Sequence, residues 1–359
     1  MKVLIAGGSG HITETNMIKG LHEAGIDIHA AFYPDSYGIN SLNDSGVPIR
    51  ELPLRSNIDL KAASRIRQWI KKEKFDIVHG LGNRQVANFI WASYGLANKV
   101  IAYRGAVGHV SRWDPSCYLK WLNPRIDHII CVSKAVEYDL LRSGVPQRKL
   151  RTIYKGHSPD WYAEISRHSA RSTLEQEYDI PNNAILIGMA ANMRRIKGAD
   201  ILLRAMRSLP DNVHVLLIGE VRDPQINRLA DETDLRDRVH LAGYRTDAAK
   251  LISAVDIVAA PSRDREGLTK GVIEAMIHSI PAVVSSAGGL PELIDNQISG
   301  FVVPKEDSST LAARLKDLVE DPQRREAMGI AARQRIIEKF SVDRTITETL
   351  TLYQEVLSG

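Results

Sequence analysis

The sequence predicts an α/β protein built from two Rossmann-like domains, each a parallel sheet doubly wound with helices. Short apolar strands alternate with amphipathic helical segments in both halves of the chain, the pattern of parallel sheets. The length of 359 residues exceeds the size at which one hydrophobic core usually stops growing. Two such sheets facing one another would leave a cleft at the carboxyl ends of their strands, where open α/β sheets bind ligands.

Six strands are predicted in the first half: Val3–Ala6, Asp27–Phe32, Ile77–Gly80, Lys99–Tyr103, Ile129–Val132 and Arg151–Ile153. Helices are predicted between them, among them Thr15–Ala24, Leu60–Lys72 and Lys134–Ser143. The polar stretch from 155 to 183 contains few apolar residues and is bracketed by Pro159 and Pro181. Because prolines and polar runs interrupt regular structure, we interpret this stretch as the interdomain connection with one helix, Ala170–Tyr178.

The second half repeats the same alternation. Its predicted strands are Ala184–Met189, Val213–Ile218, Val239–Ala242, Ile257–Ala260, Ala282–Ser285 and Gly300–Val303. Its predicted helices include Ala199–Ser208, Pro224–Thr233, Asp247–Ser253, Thr269–His278, Leu290–Ile294 and Ser309–Leu318, with further helical sequence to the end. This order of elements again predicts a parallel sheet.

The composition is that of a globular enzyme and argues against other classes. Apolar residues make up 44% and charged residues 25% of the chain. Cys117 and Cys131 are too few for a disulfide framework and suit a reducing cytosol, each as a small buried residue. The N-terminal apolar run is too short for a signal peptide, and no stretch approaches the ~20 apolar residues of a spanning helix. We therefore expect a cytoplasmic protein, with the inner face of the cytoplasmic membrane as an alternative location.

The two halves differ in charge. Residues 1–165 contain 22 Lys+Arg against 15 Asp+Glu, and the remainder contains 25 against 28. A basic first half suits an acidic acceptor or an anionic bilayer surface, although a random surface distribution explains it equally well. Nucleic acid is not expected as a partner, because no basic–aromatic groove or known binding module is present.

Two carboxylates flank a predicted helix start near the C-terminal end. Glu266 and Glu274 lie eight positions apart, slightly more than two helical turns of ~3.6 residues, so both could face one cleft. Between them, the free N–H groups of the helix start form an anion site suited to a diphosphate; these belong to Gly267, Leu268, Thr269 and Lys270. Carboxylates that accept hydrogen bonds from hydroxyls, beside amides that bind phosphates, indicate a nucleotide-sugar pocket. An ordinary surface helix would explain two glutamates alone, but the flanking sequence favours the pocket.

This segment resembles the family 4 glycosyltransferases. The family's E-x7-E pattern falls on Glu266 and Glu274, and its GG-x-P-E turn falls on Gly288, Gly289, Pro291 and Glu292. Further matches run from Asn296 to Gly300, from Phe301 to Asp307 and from Cys131 to Pro146. The motifs cover most of the second half and little of the first, and they do not indicate which sugar is transferred.

The resemblance implies the two-domain GT-B fold and a retaining transfer of a hexose-type sugar from a nucleotide-diphosphate sugar. In this family the acceptor attacks the donor sugar from the same face from which the leaving group departs. The departing phosphate oxygen takes the acceptor's proton. The family's last helix crosses back onto the first domain, which assigns Val342–Leu357 to it. The predicted domains are thus 1–163 plus 343–359 on the acceptor side and 164–342 on the nucleotide-sugar side.

A cationic segment, MAANMRRIKGAD, follows the first predicted strand of the second half. Positive side chains are needed there because negative charge grows on the leaving diphosphate. The segment resembles the family motif G-R-L-x-x-x-K-G, with Lys197 and Gly198 in its last two positions. It departs from the motif where Asn192 replaces the usual Arg, while Arg194 and Arg195 lie two and three residues on. Lys197 is therefore the expected phosphate ligand, Arg194 its expected partner, and a solvated basic helix start the alternative.

The resemblance also assigns roles to the carboxylates and strand ends. Glu266 is expected to accept hydrogen bonds from hydroxyls of the donor sugar, and Glu274 from the ribose hydroxyls, because a carboxylate is an acceptor only. The nucleotide side is expected to be lined by Gly219 and Glu220 at one strand end and by Gly243 and Tyr244 at the next. Structural turns would explain these glycines as well.

Two loops in the first half are candidates for the acceptor side. GGSGH, from Gly7 to His11, lacks the third glycine of a dinucleotide loop, and in the resembled family Gly8 and Ser9 would instead approach the diphosphate. In AYRGAVGHVSRWD, His109 is the candidate for the family's sugar-contacting histidine. Arg104 occupies that place by strict strand alignment, and Arg104 and Arg112 are candidates for an acidic or phosphate group on the acceptor.

The stretch LKAASRIRQWIKKEK places apolar residues on one helix face, with five basic residues around them; the apolar set is Leu60, Ala63, Ile66, Trp69 and Ile70. Such a helix either rests on a bilayer or packs on its own sheet, and we favour packing. No Cys/His cluster or D-x-D metal site is present, so no cofactor and no metal are expected.

Together these features predict a retaining glycosyltransferase that acts on a glycan or lipid-linked acceptor, in bacterial lipopolysaccharide, capsule or glycoconjugate synthesis. Three alternatives stay open at this point. They are a hydrolase or epimerase of nucleotide sugars with the same fold, a nicotinamide oxidoreductase suggested by GGSG, and an inactive sugar-nucleotide-binding subunit.

Overall fold

The computed structural model describes residues 1–358 and separates into two compact units. One unit comprises Met1–Gly156 together with the C-terminal segment that begins at Phe340, and the other comprises His157–Lys339. The sequence-based boundaries lie at 163/164 and 342/343, a few residues from these divisions. The assignment of acceptor and donor sides to the two domains stays a prediction.

The first unit contains a seven-stranded parallel sheet. Its strands are β1 (Lys2–Ala6), β2 (Asp27–Phe32), β3 (Ile49–Glu51), β4 (Ile77–Gly80), β5 (Lys99–Arg104), β6 (His128–Cys131) and β7 (Leu150–Thr152). The spatial order is β3-β2-β1-β4-β5-β6-β7, so the direction of winding reverses between β1 and β4. In open α/β sheets this reversal opens a crevice outside the carboxyl ends of the two strands.

Five helices belong to the same unit before its C-terminal segment: α1 (Ile12–Glu23), α2 (Tyr37–Leu42), α3 (Leu60–Glu73), α4 (Asn83–Ser93) and α5 (Lys134–Arg142). A short 3-10 helix, Pro115–Leu119, lies in the connection between β5 and β6. The core joins fully buried side chains of the strands, such as Ile5 and Phe32, to those of α1, such as Ile18 and Leu21.

The second unit contains a six-stranded parallel sheet. Its strands are β8 (Ile185–Ala190), β9 (Val213–Ile218), β10 (Val239–Gly243), β11 (Ile257–Ala260), β12 (Ala282–Ser285) and β13 (Gly300–Val303). The order is β10-β9-β8-β11-β12-β13, and Val258 of β11 is in register with Gly188 of β8. The reversal of winding thus lies between β8 and β11.

The helices of the second unit are α6 (Arg167–Glu177), α7 (Ala199–Met206), α8 (Pro224–Ala230), α9 (Ala248–Ile252), α10 (Lys270–Ile277), α11 (Leu290–Leu293), α12 (Ser308–Glu320) and α13 (Pro322–Lys339). The core lies between the sheet and α7, α8 and α12, with Leu202, Leu217 and Leu315 fully buried. Both sheets confirm the predicted α/β fold class.

The last helix, α14 (Val342–Ser358), packs on α1 in the first unit. Its Tyr353 is fully buried, and the Tyr353 hydroxyl lies 2.7 Å from Nδ1 of His79 in β4. Burial lowers the pKa of His79 to about 3, so its imidazole is neutral at physiological pH. Thr345 fixes the start of the helix, since its hydroxyl donates to the carbonyl of Tyr154 at 2.7 Å.

The structure corrects several details of the sequence prediction. Strand β3 and helix α2 were not predicted, because segments of three and six residues are too short to show a periodicity. Leu60 was assigned to the buried face of α3 but is 72% exposed, since it lies in the first turn, beyond the edge of the packed surface. The remaining apolar face of α3 is used by Ala63, Ile66 and Ile70, which are buried.

Cys117 and Cys131 are both free, and both are buried, as predicted. Within residues 1–358, none of the helices combines the length and the apolar character needed to span a bilayer.

Candidate functional site

The candidate site lies at the reversal of winding in the second sheet. The segment after β8 carries Lys197, and the loop after β11 carries Glu266. Because β8 and β11 are adjacent and parallel, their carboxyl ends meet at one edge of the sheet, and two segments distant in sequence come together there. A small pocket at this point is lined by Ala190, Lys197, Ser262, Glu266 and Thr269, among others.

An ion pair joins the two segments. Lys197 Nζ lies 2.6 Å from Glu266 Oε1, and the exposed fraction of the side chain is 20% for Lys197 and 6% for Glu266. A charge pair so withdrawn from water costs desolvation free energy that only close contact and further hydrogen bonds offset. Glu266 has these bonds. The structure thus brings together Lys197 and Glu266, two predicted site residues from separate motifs.

Two hydroxyls hold the Glu266 carboxylate. Ser262 Oγ donates to Oε1 at 2.6 Å, and Thr269 Oγ1 donates to Oε2 at 3.2 Å. The Glu266 main chain is held as well, since its carbonyl accepts the amide of Gly289 at 3.1 Å. Ser262 was not predicted; the signal for it is its position two residues after β11, where a polar side chain reaches the sheet edge.

The N-terminus of α10 opens beside this carboxylate. Thr269 is the N-cap residue but makes no capping bond, because its hydroxyl is directed to Glu266. The N–H groups of the first helical turn are therefore without a side-chain cap. Gly271 packs against Ala190 at the end of β8, where an added Cβ would lie 2.8 Å from the Ala190 Cβ. The helix start is thus held close to the segment that carries Lys197.

A second ion pair, which the sequence analysis missed, fixes the position of the Lys197 segment. Arg263 donates to both oxygens of Asp200, at 2.7 and 2.8 Å, and to the carbonyl of Arg195 at 2.6 Å. Burial acts to raise the pKa of Asp200, but the hydrogen bonds and charge of Arg263 bring it below its ordinary value. The available signal was an aspartate in the buried, otherwise apolar start of α7, because a buried carboxylate requires a cation.

Gly198 completes the same connection. It has φ +72, and a Cβ added there would lie 2.1 Å from the carbonyl oxygen of Pro261. The amide of Arg263 also donates to the carbonyl of Ile196 at 2.8 Å. The loops after β8 and β11 are therefore joined through both main chain and side chains.

Glu274 has surroundings of its own. It lies within α10 and is 4% exposed, with Lys270 Nζ at 3.1 Å and the Tyr162 hydroxyl donating at 3.3 Å. Burial raises the pKa of Glu274, and the charge of Lys270 only partly opposes this. Glu266 and Glu274 share no hydrogen-bond partner among residues 1–358, so their predicted convergence on one ligand stays a prediction.

The predicted nucleotide-side residues meet at neighbouring strand ends. The amide of Gly219, after β9, donates to the carbonyl of Gly243, the last residue of β10, at 2.7 Å. Gly219 packs so closely on the segment after β8 that an added Cβ would lie 2.0 Å from the Ala191 carbonyl oxygen. Glu220 pairs with Arg222, while Asn192 and Tyr244 are exposed.

Arg194 and Arg195 are exposed at the start of the short 3-10 helix that ends at Lys197. Neither forms an ion pair within the described part of the chain, in contrast to Lys197. Arg194 therefore stays the expected partner of Lys197 on a diphosphate, without a contact between the two side chains.

The glycine loop of the first unit lies at that sheet's own reversal of winding, between β1 and β4. The carbonyl of Gly8 accepts the amide of Tyr33 at 3.1 Å, and that of Ser9 accepts the amide of Gly38 at 2.9 Å. The loop is therefore closed by the segment after β2, and Ser9 remains exposed.

The arginine and histidine candidates of the first unit occupy different surroundings. Arg104, at the end of β5, is buried, lies 4.7 Å from the Trp121 ring and donates to the carbonyl of Gly108. His109 is exposed and has φ +60, and Arg112 is also exposed. These contacts give Arg104 a structural role in holding its loop; its predicted role at the acceptor stays a prediction.

In the described part of the chain, no group of three or more His, Cys, Asp or Glu side chains is placed to hold a metal ion.

Comparison with known protein families decides the class of the chain. The profile named "Glycosyltransferase Family 4" matches residues 13–161, and the profile named "Glycosyl transferases group 1" matches residues 170–335. The chain belongs to the family 4 glycosyltransferases. The resemblance drawn from the sequence motifs is confirmed, and the oxidoreductase alternative is excluded.

Relatives of this glycosyltransferase are distant. N-acetyl-alpha-D-glucosaminyl L-malate synthase of Bacillus anthracis is 23% identical over 98% of this chain and 94% of the relative. D-inositol 3-phosphate glycosyltransferase of Corynebacterium kroppenstedtii is 32% identical over 54% of this chain and 46% of the relative.

Solved structures of similar fold include Anabaena Alr3699/HepE in complex with UDP and glucose, with a TM-score of 0.82 and 20% identity over 99% of this chain and all of that one. A glycosyltransferase from Rickettsia africae has a TM-score of 0.85 and 21% identity, covering 99% of this chain and 98% of that chain. These similarities show the fold of the enzyme, which is GT-B.

Proposed function

We propose that this enzyme is a retaining hexosyltransferase that moves a sugar from a UDP-sugar to a glycan or lipid-linked acceptor. The observation that carries the proposal is the Lys197–Glu266 ion pair beside the uncapped N-terminus of α10. A cation, free amides and a carboxylate at one sheet edge match the needs of a sugar diphosphate: charge neutralisation on one side and hydroxyl recognition on the other.

Lys197 and the first amides of α10 would receive the diphosphate. Negative charge on the β-phosphate grows as the bond to the sugar breaks, so fixed positive groups at that position stabilise the transition state more than the ground state. Lys197 is suited to this because Arg263 and Asp200 hold its segment in place, and less reorganisation is needed during the reaction. Arg194 would supply a second cation once the diphosphate is bound.

Glu266 would orient the sugar. An ionised carboxylate accepts about four hydrogen bonds, and the contacts with Lys197, Ser262 and Thr269 use three of these positions. One position thus remains for a sugar hydroxyl, on a carboxylate whose rotamer is already set. Its negative charge would also favour the partly cationic sugar ring of the transition state.

Glu274 would accept hydrogen bonds from the ribose hydroxyls. Binding of a vicinal diol requires the ionised form, since the protonated acid would lose an acceptor position. The strand-end residues Gly219, Glu220, Gly243 and Tyr244 would line the nucleotide beside it. In the first domain, Gly8, Ser9 and His109 would approach the diphosphate and the sugar.

The choice of a uridine donor is supported by one structural neighbour, Anabaena Alr3699/HepE, which was solved with UDP, with UDP and glucose, and with UDP-glucose. The choice of a surface glycoconjugate as product is supported by two further relatives. One is the capsular polysaccharide biosynthesis glycosyltransferase CapM of Staphylococcus aureus, and the other a lipopolysaccharide outer core galactosyltransferase, WaaB. For such products the acceptor would be used on the cytoplasmic side, where nucleotide sugars are made.

The test measures donor binding and product configuration. Titration calorimetry with UDP, GDP and ADP, each free and as its glucose conjugate, should give binding with the uridine compounds only. With a lysate-derived acceptor fraction and a UDP-sugar, NMR of the product should show the donor's anomeric configuration. Lys197→Met and Glu266→Gln should lower turnover by about 100-fold or more, as for removal of one transition-state donor, whereas Lys316→Met, an exposed charge on α12, should not.

Four outcomes would count against the proposal. If no nucleotide of the panel binds, or if the product anomer is inverted, the proposed chemistry is wrong. Release of free sugar without transfer to any acceptor would identify a hydrolase of the same fold. Wild-type turnover of Lys197→Met would remove the site assignment.

A further inference from the structure

A group of exposed aromatic and cationic side chains, together with one leucine, lies in the first domain, outside the residues assigned to the donor. It consists of Trp113, Tyr118, Tyr138, Leu141, Arg142 and Arg148 and is called here the aromatic–cationic surface. The exposed fraction is 86% for Trp113 and 61% for Tyr138. Clustered exposed aromatics of this kind mark an interaction site, whereas single ones are common on any protein.

Hydrogen bonds bring its two segments together. The hydroxyl of Ser143, at the end of α5, donates to the carbonyl of Val110 at 3.0 Å, and the amide of Gly108 donates to Asp139 of α5 at 2.8 Å. Within the loop that carries Trp113, the hydroxyl of Tyr118 donates to the carbonyl of Arg112 at 3.3 Å. The chain around Trp113 is therefore held next to the C-terminal end of α5.

Helix α5 contributes one of its faces to the aromatic–cationic surface. Tyr138, Leu141 and Arg142 are spaced i, i+3 and i+4, positions that are neighbours on a helix surface. The Arg142 guanidinium lies 5.8 Å from the centre of the Tyr138 ring. Beside them, a groove of about 440 Å³ is lined by Tyr118, Arg112 and Arg148, among others.

The arginines of this surface are not paired with the acids beside them. Those acids accept hydrogen bonds from neutral groups: Asp114 accepts the amide of Ser116 at 2.9 Å, Asp139 that of Gly108 at 2.8 Å, and Glu137 the side chains of Gln147 and Thr152. Arg142 and Arg148 form no ion pair within residues 1–358. A ligand of this surface should therefore be anionic.

We propose that the aromatic–cationic surface docks the enzyme onto an anionic lipid bilayer. Indole and phenol rings locate at the headgroup level of bilayers, because they can place their apolar part toward the acyl chains and their polar N–H or O–H group toward water. Guanidinium groups bind lipid phosphates through paired N–H donors. Docking would bring the enzyme to a lipid-linked acceptor. Only this role of the surface rests on the proposed function; binding to the bilayer itself does not.

Helix α3, the basic amphipathic helix noted in the sequence, does not offer a comparable surface. Its Ala63, Ile66 and Ile70 are buried within the first domain. Trp69, its one aromatic residue, is half-buried, and the Arg50 guanidinium lies 5.2 Å from the centre of its ring. Arg65 and Lys72 are exposed and form no ion pair among the described residues. They therefore provide a control with an equal loss of charge.

The test is sedimentation of the full-length enzyme with vesicles. Vesicles of phosphatidylcholine and phosphatidylglycerol in a 7:3 ratio, roughly the anionic content that attracts basic surfaces, should bind the wild type, and pure phosphatidylcholine should not. Trp113→Ala with Tyr138→Ala should weaken binding by about tenfold or more. Arg142→Gln with Arg148→Gln should weaken it similarly at low salt, whereas Arg65→Gln with Lys72→Gln should have a much smaller effect.

A spectroscopic readout locates the contact. Brominated lipids should quench part of the tryptophan fluorescence of the wild type, and Trp113→Phe should remove most of that quenching while the protein still sediments. UDP binding in solution, measured on the same preparations, should be equal in all these variants. If the wild type does not bind UDP, the proposed function is refuted, but the vesicle result still stands.

The docking proposal fails if the wild type does not sediment with anionic vesicles, or if the Trp113/Tyr138 variant sediments equally well. It also fails if light scattering shows a concentration-dependent dimer that this variant abolishes, because the surface would then bind a second copy of the chain.

Discussion

Lys197 Nζ and Glu266 Oε1 lie 2.6 Å apart although the residues are separated by 69 positions in the chain. The two side chains belong to loops that follow adjacent parallel strands on either side of the reversal of winding in the second sheet. The pair links the loop proposed to bind phosphate to the loop proposed to bind the sugar. A change in either loop should therefore affect the other.

Loss of one member of the pair should destabilise the fold more than loss of both charges. Lys197→Met leaves Glu266 buried and without its cation, which in comparable buried pairs costs about 3–5 kcal/mol. Because Lys197 is 20% exposed, we expect a value toward the lower limit. Urea unfolding of Lys197→Met, Glu266→Gln and the double variant should show a double variant more stable than the sum of the single losses predicts. Strict additivity would indicate that the pair is not coupled in solution.

Arg263→Lys should lower activity more than its retained charge suggests. Lysine cannot donate to both oxygens of Asp200 and to the Arg195 carbonyl at once, so the Lys197 segment should lose its fixed position. We expect kcat to fall by about tenfold or more, the scale seen when a supporting contact misplaces a catalytic group, with UDP affinity changing less. Arg314→Lys, in an exposed pair on α12, is the matched control and should leave kcat unchanged. Equal effects of the two variants would argue against a positioning role.

Gly198→Ala should be strongly destabilising for a steric reason. At φ +72, any side chain costs roughly 1–2 kcal/mol, and the added Cβ would also lie 2.1 Å from the Pro261 carbonyl oxygen. Gly25→Ala provides the comparison, since Gly25 has φ +86 but no heavy atom within 4 Å of the added Cβ. The difference between the two variants in thermal or urea unfolding isolates the clash. A Gly198 variant no less stable than the Gly25 variant would show that the two loops are not in close contact.

UDP affinity should weaken as the pH falls through the raised pKa of Glu274. Burial holds the proton on Glu274 to a higher pH than in water, and ribose recognition needs the ionised carboxylate. Calorimetry across the acidic range should show this dependence in the wild type and its absence in Glu274→Gln, which should bind weakly at every pH. If the two pH profiles run parallel, Glu274 does not contact the nucleotide.

The raised pKa of Glu274 affects folding stability in the opposite direction: a fall in pH weakens UDP binding but favours the folded state. Glu274 binds its proton more tightly in the folded state than in the unfolded chain, so its contribution to stability is complete below the unfolded value of about 4.3. That contribution is lost as the pH rises through the folded pKa. At neutral pH, Glu274→Gln should therefore be as stable as the wild type or more stable in urea unfolding, despite the loss of the Tyr162 contact to a carboxylate.

Tyr353→Phe should loosen the C-terminal helix. The change leaves Nδ1 of the fully buried His79 without its partner at 2.7 Å, and an unsatisfied buried group costs about 1–3 kcal/mol. Tyr37→Phe, at an exposed position, should have an effect near zero. Hydrogen exchange should show faster exchange in α14 of the Tyr353 variant than in α12. Unchanged exchange in α14 would mean that the hydroxyl contributes little to docking of the helix.

Much of the fold follows from local sequence. Strands such as Asp27–Phe32, Val213–Ile218 and Ala282–Ser285 were predicted with the bounds that the structure has, because buried parallel strands form short apolar runs between turn residues. The position of Glu266 before a helix and of Lys197 after a strand could likewise be assigned, since both depend on neighbours within a few residues.

Contacts between distant segments could not be derived in this way. Nothing in the local pattern states that Ser262 and Thr269 would hold Glu266, that Arg263 would pair with Asp200, or that Glu274 would be enclosed by Tyr162. Such pairings depend on which strands are adjacent and on the register between them, properties of the folded chain as a whole. The sequence alone was therefore sufficient for the fold class, the strand positions and the residue types of the site. Folding determines which charges meet and which are buried, because burial and ion pairing are set by distances in space.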